Sequence, residues 1–597
     1  MKSMKKTVCR ILALLMVVTC AIGLLAGCGG RGGSGAPAGA TVVEFMYGSS
    51  DSVNKEYAKL IDTFNNTVGK EKGVYVKPLE RTYSGLESAL STQLISDRGP
   101  DVVTLEDEWF KTMTIYLEPL DGLVSEEVIN KLYDGAADRQ IYNPETGKVD
   151  EGAKRYGLPS YNNATVLYVN TGKLTESGVI CISVPESDLE AFNAGTFTDG
   201  NGKTKADYGI TAKVLNKGFQ REKPYADGLN TWQKPVSGEL MIFNDQIPMN
   251  WDEVEDLGRI MSKNTNAASK TDYGYYTEWW FCYGWTVGGD CLLDINNNYD
   301  YKFGLIENVN NFIVMKGKTY TGAYTGKNYA AGETLEFVDK LAITKNDTVI
   351  AEDDGSFTVN GKPVTISQSV LDAVAAGTLG QLPSTKTAFT RFAKLAAQEY
   401  DSTRISPYPS ELSSTINYFT SEKIAMVIER TANLSYVKEN MQSDWTVATV
   451  PQYKEYVNPI SGTEDAVKVA GKISMHSHMN SLGIRKGTAK KAEAGVFLEW
   501  MMTEGQKIMA QDGFGTNNAD YEAEALASAS MQGKNNVLVV ANANANMGDW
   551  MYLKDRIWID SWAIPLNSSV RNGNMTLDSW FKSYVKVTND YIDAAYE

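Results

Sequence analysis

The sequence predicts an α/β protein of two or more domains, and three observations support this prediction. Strand-like runs alternate with helix-like runs from residue 41 onward, the pattern of a parallel sheet with right-handed crossovers. The chain has 597 residues and 43% of them are hydrophobic, so it can bury a large core. Its length also exceeds the size at which one core usually divides, so we expect two or more domains.

The first elements follow one another closely. A strand is predicted at 41–47, and a helix with apolar residues at helical spacing follows at 57–64. A second strand at 73–79, a second helix at 83–95 and a third strand at 99–105 complete the series. In such sheets, ligands bind beyond the carboxyl ends of the strands.

Two segments at these strand ends are therefore candidates for ligand contact. They follow the first and third strands, and the candidate residues in them are Tyr47, Ser50, Asp107, Glu108 and Trp109. The alternative for the run Glu106-Asp107-Glu108 is a solvated turn or a helix start, where carboxylates suit the helix dipole. The sequence leaves both interpretations open.

The amino terminus resembles a bacterial lipoprotein signal. A basic head precedes the apolar run 11–25, which ends at Leu25-Ala26-Gly27-Cys28. A peptidase cleaves such a signal before the Cys, which carries lipid, so 1–27 is the expected signal peptide and Cys28 the lipidation site. The apolar run is shorter than the roughly 20 residues that a transmembrane helix needs. Residues 28–40, rich in Gly, are expected to form a flexible tether.

The charge balance excludes one class of partner. The formal net charge is -16, and removal of residues 1–27, with four basic and no acidic residues, makes it -20. Nucleic acid is not an expected partner, because phosphate binding needs a basic patch that this balance disfavours.

Cysteine and histidine are scarce. Beyond the signal and Cys28, only Cys181, Cys282 and Cys291 remain, and the last two could form a disulfide or stay as buried thiols. The two histidines, His476 and His478, are an H-x-H pair without a nearby third ligand. We therefore expect neither a metal site nor a cofactor.

A series of short motifs resembles the extracellular solute-binding proteins of family 1, which serve ABC importers. One of them, PMNWDE at 248–253, is similar to the family's P-x-x-W-D-E helix start. The matching segments occur in the family's order at 59–65, 99–103, 156–159, 167–170, 247–254, 288–290, 419–426, 445–451, 482–484, 492–502 and 503–506.

This resemblance implies a two-lobed periplasmic-binding-protein-like fold of type II, with a ligand cleft between the lobes and a hinge that closes them. The first lobe would hold 41–160 and 457–505, and the second 161–456 and 506–597. Residues of about 180–245 and 292–382 would be insertions in the second lobe, either rimming the cleft or decorating the surface. Asp-Gly and Asn-Gly turns at 348–364 predict a small β-meander in the second insertion.

The resemblance also places ligand contacts. In sugar-binding relatives the aromatic stretch 278–285 supplies a carboxylate and stacking platforms, which here would be Glu278, Trp279 and Trp280, with Trp285 in the core. At the mouth of the hinge the residues would be Tyr161, Asn162 and Asn163, whose alternative is ordinary turn chemistry. The cleft loop after the Ala425-Met426 strand would supply Glu429 and Arg430, whose alternative is a buried ion pair with each other, and Arg430 leaves an acidic sugar open.

The function that the resemblance implies is that of a lipid-anchored, monomeric receptor. It would capture an extracellular solute, most directly an oligosaccharide, and deliver it to the membrane subunits of an ABC permease. The anchor would sit on the outer face of the cell membrane, or on the periplasmic face in a diderm cell. One alternative is a glycoside hydrolase using carboxylates among Glu106, Asp107, Glu108 and Glu278. The other is a lipoprotein for sensing or adhesion.

Overall fold

The structure is a computed structural model that describes most of the chain beyond residue 34. The described residues are 35–49, 51–95, 99–160, 163–222, 232–296, 300–305, 307, 309–353, 355–397, 402–457, 465–478, 480–513, 515–528, 537, 541, 544–546, 553 and 557–595. The predicted signal peptide, Cys28, Ser50, Tyr161 and Asn162 lie outside these ranges.

The first lobe is built on a five-stranded sheet. Its strands, in spatial order, are Val74–Thr82, Thr41–Ser49, Val102–Glu106, Asn480–Ile484 and Leu158–Pro159. The first three are parallel, as predicted, and Asn480–Ile484 returns antiparallel. The helices of this lobe are Asp51–Asn66, Val68–Lys72, Tyr83–Ile95, Asp107–Met113, Glu126–Ile129, Asp134–Ala137, Lys491–Trp500 and Gln506–Asp512.

Both faces of this sheet are buried, as the crossover connections require. Side chains alternate along Thr41–Ser49, so Phe45 and Tyr47 pack in the core on one face. Met46 packs in the core on the other face, with residues from Tyr83–Ile95 and Asp107–Met113. Burial on both sides therefore explains the buried run of the central strand Val102–Glu106, whereas the outer strand Val74–Thr82 also carries exposed residues.

The second lobe is built on a mixed six-stranded sheet. Its main path is Tyr273–Tyr276, Ile424–Arg430, Asn163–Val169, Met475–His478 and Ala545–Asn546, and Thr446–Ala448 also pairs with Asn163–Val169. The longer helices around it are Thr171–Glu176, Trp251–Ile260, Thr385–Lys394, Thr415–Thr420, Leu434–Asn440, Ile557–Pro565 and Leu577–Ala594. One hydrophobic core joins this sheet to the carboxyl-terminal helices.

The predicted helix start at the PMNWDE motif is confirmed. Asn250 caps the helix Trp251–Ile260, because its side chain accepts from the backbone N–H of Glu253 at 2.8 Å. The Glu253 carboxylate accepts in return from the Asn250 N–H at 3.1 Å. This reciprocal capping box satisfies two backbone donors that the first helical turn leaves without partners.

Two additions extend the second lobe. The first is a three-stranded sheet of Val179–Ile182, Met241–Asn244 and Phe219–Arg221, with a small core of its own. The second spans the predicted insertion 292–382 and has two further cores. Its paired strands are Leu292–Asp294 with Tyr301–Phe303, Asn310–Val314 with Leu379–Ser384, Tyr320–Thr321 with Asn328–Tyr329, and Val349–Ala351 with Phe357–Val359 and Lys362–Pro363. The last three strands confirm the predicted β-meander.

Sheet membership differs in detail from the predicted lobe limits. Met475–His478 belongs to the second sheet, whereas 457–505 was expected in the first lobe. Gln506–Asp512 was expected in the second lobe but packs against the first, since Met509 lies in the first-lobe core. The chain therefore crosses between the sheets at 160–163 and at 478–480, and the full lobe boundaries stay a prediction.

Two further features bear on the predictions. Cys181, Cys282 and Cys291 form no disulfide with one another, so the open alternative of a Cys282–Cys291 disulfide is not formed. Among the residues that the structure describes, no helix is both long and apolar enough to cross a membrane.

Candidate functional site

One end of each sheet lies beside the two crossings, between Ser160 and Asn163 and between His478 and Asn480, where the chain passes from one sheet to the other. Strand Leu158–Pro159 ends, and Asn480–Ile484 begins, at the first-sheet edge where the chain leaves for the second sheet. Because Glu106 pairs with Asn480, the carboxyl ends of the parallel strands lie at this same edge. The edge therefore carries the segments after Ser49, Thr82 and Glu106.

The second sheet meets the crossings in the same way. Asn163 begins its strand and pairs with His478, which ends the neighbouring strand. Ile424–Arg430 and Tyr273–Tyr276 run parallel to Met475–His478, so their carboxyl ends also face the crossings. Most of the predicted contact residues thus lie on two edges that the crossings join, which defines the candidate cleft.

On the second-lobe edge, Glu278 and Trp279 form a short turn after Tyr273–Tyr276. The Glu278 side chain is exposed and Trp279 is half-buried. The Trp279 N–H donates to the Thr277 hydroxyl at 3.1 Å, and its indole meets the ring of His476 edge-on at 4.8 Å between centroids. The indole is thereby fixed at the edge with part of its surface open, as a stacking platform requires.

A buried arginine supports this turn from beneath. Arg571 is 0% exposed, and its Nη2 donates to the Thr277 carbonyl at 2.7 Å. Its guanidinium lies 4.5 Å from the ring centre of Phe392 and 5.2 Å from that of Tyr276. The carboxyl-terminal segment therefore holds the turn that carries Glu278 and Trp279.

Glu429 and Arg430 end the adjacent strand. The Glu429 Oε2 accepts from the Arg430 backbone N–H at 3.1 Å and from Asn433 Nδ2 at 3.0 Å. Burial raises the pKa of Glu429, and the nearby Arg430 charge opposes that rise. The Arg430 guanidinium lies over Trp279, 5.2 Å from the ring centre. Arg430 and Trp279 thus pack against each other at this edge.

Asn163 completes the second-lobe edge. It is 6% exposed, and its Oδ1 accepts from the Ala432 N–H at 2.9 Å. This bond ties the first crossing to the loop that follows Arg430. The Asn163 amide oxygen is therefore already committed to structure.

On the first-lobe edge, Asp107 forms a buried ion pair. Its Oδ2 lies 2.9 Å from Arg139 Nη1, and the two side chains are 1% and 0% exposed. The same Nη1 donates to the Ser477 carbonyl at 2.8 Å, on the strand that leads into the second crossing. Asp107 thus joins the first lobe to the second sheet through Arg139.

Two other first-lobe candidates are packed in the interior. Tyr47 is 2% exposed and stacks with Tyr57 at 4.8 Å between ring centroids, and burial raises the pKa of its hydroxyl to about 12. Trp109 is 7% exposed and belongs to the core on the other face. Direct contact with a ligand would require either ring to leave its packing. Glu108 lies in the helix Asp107–Met113 at this edge.

The aromatic stretch 278–285 divides between edge and core. Trp280 packs at 5.3 Å from Phe389 in the second-lobe core, and Trp285 stacks on Phe281 at 4.5 Å, as expected for Trp285. His476, 1% exposed, lies against Trp279 and Phe281. Within the described ranges, no three His, Cys, Asp or Glu side chains are placed to hold a metal ion.

Sequence reasoning missed Arg139 and Arg571. Neither stands in a recognisable motif, and their partners Ser477 and Thr277 are 338 and 294 residues away. Only the fold shows that each one braces an edge of the cleft.

With this geometry established, comparison with known families gives a match. Residues 48–234 match the model of the bacterial extracellular solute-binding proteins. The family resemblance is thereby confirmed. The description of this family is that of bacterial proteins that bind solutes outside the cell. A comparison with the curated proteins found no match.

Solved structures confirm the two-lobed fold. An ABC substrate-binding protein from Listeria monocytogenes, in complex with cycloalternan, has a TM-score of 0.53 at 13% identity, covering 93% of this chain and 99% of that one. The cyclic α-maltosyl-1,6-maltose binding protein from Arthrobacter globiformis has a TM-score of 0.51 at 11% identity, covering 94% and 99%. At these identities the similarity establishes the fold of this chain and not its ligand.

Proposed function

We propose that this protein captures an extracellular oligosaccharide between its two lobes and delivers it to the membrane subunits of an ABC importer. The observation that carries the proposal is the pairing of a half-buried indole with charged side chains at the second-lobe edge. Trp279 keeps part of its surface accessible, the exposed Glu278 precedes it, and Arg430 lies over its ring. Sugars present C–H faces for stacking and hydroxyls for hydrogen bonds to charged groups.

The second lobe would make the first contacts. Glu278, Trp279 and Arg430 are the proposed ligand residues there, and Tyr161 and Asn162 remain candidates at the first crossing. The first lobe would add contacts when the lobes close, because closure is favoured only by interactions that the open state lacks. Glu108 and Ser50 are its candidates.

The membrane attachment is part of the same proposal. Cleavage before Cys28 and lipidation of its thiol would leave a monomeric body on the tether 28–40 at the outer face of the cell membrane. Radiolabelled palmitate should be incorporated into the protein in cells and lost on Cys28→Ala, which should also release the protein into the medium. Retention of the Cys28→Ala protein at the membrane would contradict the anchor.

Ligand capture is tested by thermal unfolding with a panel of oligosaccharides, short peptides and divalent ions. A ligand present at 100 times its Kd should stabilise the folded protein by roughly 2.7 kcal/mol, a readily measured rise in Tm. Stabilisation by one class of oligosaccharide, with the sugar recovered intact, is the expected result. Stabilisation by peptides or ions alone would refute an oligosaccharide receptor.

Two tryptophan variants localise the site. Trp279→Ala should lower the affinity for the stabilising sugar roughly 10-fold or more, because stacking contributes beyond the area buried. The matched control is Trp445→Ala, since Trp445 is also half-buried but precedes Thr446, which pairs with Val169 at the opposite edge of the sheet. Equal losses of affinity in both variants would contradict this placement.

One carboxylate of the glycoside hydrolase alternative already has a partner within the protein. A hydrolase needs one carboxyl group on each side of the scissile bond. On the first-lobe edge, the Asp107 carboxylate is buried against Arg139. Recovery of intact sugar in the ligand assay separates the two functions directly.

A further inference from the structure

Ring-stacked arginines recur in the second lobe, and their hydrogen-bond partners differ. Arg391 lies over Trp251 and pairs with Glu255 at 2.7 Å. Arg404 lies over Tyr408 and pairs with Glu411 at 2.9 Å. In each case, a carboxylate of the same lobe neutralises the stacked guanidinium.

Two other stacked arginines also have at least one charged or hydrogen-bonding partner, although the Nε of Arg571, like that of Arg430, has no acceptor among the described residues. Arg221 lies over Trp232 and pairs with Asp256 at 2.9 Å. Arg571 has no acidic partner among the described residues, but its two Nη groups donate to the Thr277 carbonyl and to Asn567. A guanidinium held in this lobe is therefore normally matched by fixed acceptors.

Arg430 departs from this pattern. Its guanidinium lies over Trp279 at the cleft edge, and within the described part of the chain it forms neither an ion pair nor a side-chain hydrogen bond. Its Nε is enclosed and without an acceptor there. Since an enclosed donor without a partner is costly, the acceptor is expected to come from outside the described protein.

The neighbouring carboxylate does not provide this acceptor. Glu429 directs its Oε2 to the Arg430 backbone N–H and to Asn433 Nδ2. Its carboxylate therefore interacts with the Arg430 charge but forms its hydrogen bonds with the loop and not with the guanidinium. The guanidinium carbon lies 5.2 Å from the ring centre of Trp279, so the group is held beside the indole at this edge.

We propose that Arg430 binds a carboxylate of the ligand, and that the ligand is an oligosaccharide containing a uronic acid. This inference rests on the proposed function and names the class of its solute. The planar guanidinium donates two parallel N–H bonds that match the two oxygens of a carboxylate. A pair of neutral hydroxyls would accept weaker hydrogen bonds from the guanidinium than a carboxylate does, which favours an acidic sugar at this position.

The test compares matched ligands on the purified full chain by isothermal titration calorimetry. The probes are short oligomers of galacturonic and of glucuronic acid, and the same oligomers after their carboxyl groups have been reduced to alcohols. Sulfate esters of neutral-sugar oligomers, equal in length to the uronates, form a third arm. We expect at least 10-fold tighter binding of one uronate series than of its reduced form, since hydrogen bonds between charged groups are roughly twice as strong as neutral ones.

Two variants assign the discrimination to this side chain. Arg430→Gln should abolish the preference for the uronate, and Arg430→Lys should retain only part of it, because an ammonium cannot form the bidentate pair. Arg404→Gln is the matched control, a stacked arginine whose partner is Glu411. It should leave the ratio of the two affinities unchanged even where it lowers stability.

The possible outcomes separate the inference from the proposed function. Equal or tighter binding of the reduced oligomers would overturn the uronate inference and leave the oligosaccharide receptor intact. Preference for the sulfated oligomers would also overturn it, in favour of a tetrahedral anion. Binding of no oligosaccharide by a folded protein would refute the proposed function itself. A preference that persists in Arg430→Gln would overturn the role of this residue.

Discussion

Substitution of Asp107 tests whether the first-lobe edge is held by a buried ion pair. Both side chains of the Asp107–Arg139 pair are at most 1% exposed. Asp107→Asn keeps the size of the side chain but leaves the Arg139 charge buried without its carboxylate partner, while the bond to the Ser477 carbonyl is kept. Breaking one partner of a buried pair costs about 3–5 kcal/mol. We therefore expect a loss of this size in the free energy of unfolding.

Urea unfolding followed by circular dichroism measures this loss, with each lobe's transition fitted separately because a two-lobed chain need not unfold in one step. The double variant Asp107→Leu with Arg139→Met is the control. It removes both charges, and replacement of a whole buried pair by apolar residues is often close to neutral. A loss below about 1 kcal/mol for Asp107→Asn, or a double variant no more stable than the single one, would refute the reasoning.

The same variant decides between two roles of Asp107. If the carboxylate acts through Arg139, ligand affinity measured at a temperature where the variant is folded should stay within a few-fold of the unchanged protein. A 10-fold or larger loss of affinity without loss of stability would instead restore the ligand contact predicted from the sequence.

Two further substitutions test a buried carboxyl group, through the pH dependence of stability, and a close backbone contact, through the loss of stability. Burial, with the Asp512 charge, raises the pKa of Glu56 from 4.5 to about 8, so the folded protein keeps a proton that the unfolded chain releases between these values. Stability should therefore fall as the pH rises through this window, and Glu56→Gln should flatten the profile of Tm against pH and raise Tm above pH 8; an unchanged slope would contradict this. Gly274→Ala would place a Cβ 1.8 Å from the Gly258 carbonyl oxygen, so we expect a loss of about 1–3 kcal/mol in urea unfolding, and an unchanged midpoint would show that the backbone can yield.

The fold was largely predictable because its signals are local. The strands and helices of the first lobe follow from apolar spacing within single segments, and the capping pattern at Asn250 and Glu253 marks a helix start within four residues. Order along the chain then indicated the two-lobed architecture. These signals can be read from the sequence because residues close together in the chain determine them.

The site was less predictable because its decisive contacts join distant segments. Asp107 has the sequence context of a solvated helix start, and only the approach of Arg139 makes it a buried ion pair. Trp279 and Trp280 are adjacent in a turn without regular periodicity, yet one lies at the edge and the other in the core. Tyr47 stands at the end of a predicted strand, and only its packing against Tyr57 shows that its ring lies in the core.

The contacts around the cleft divide its two edges by task. At the second-lobe edge, Arg571 holds the turn of Trp279, so the proposed ligand contact at Trp279 would need little ordering when a ligand binds. At the first-lobe edge, the Asp107–Arg139 pair is tied to Ser477, beside the second crossing. This ion pair therefore connects the two sheets close to the point where the chain passes between them. The polar groups of the first lobe that sequence reasoning assigned to the ligand thus include one that contributes to the junction between the sheets.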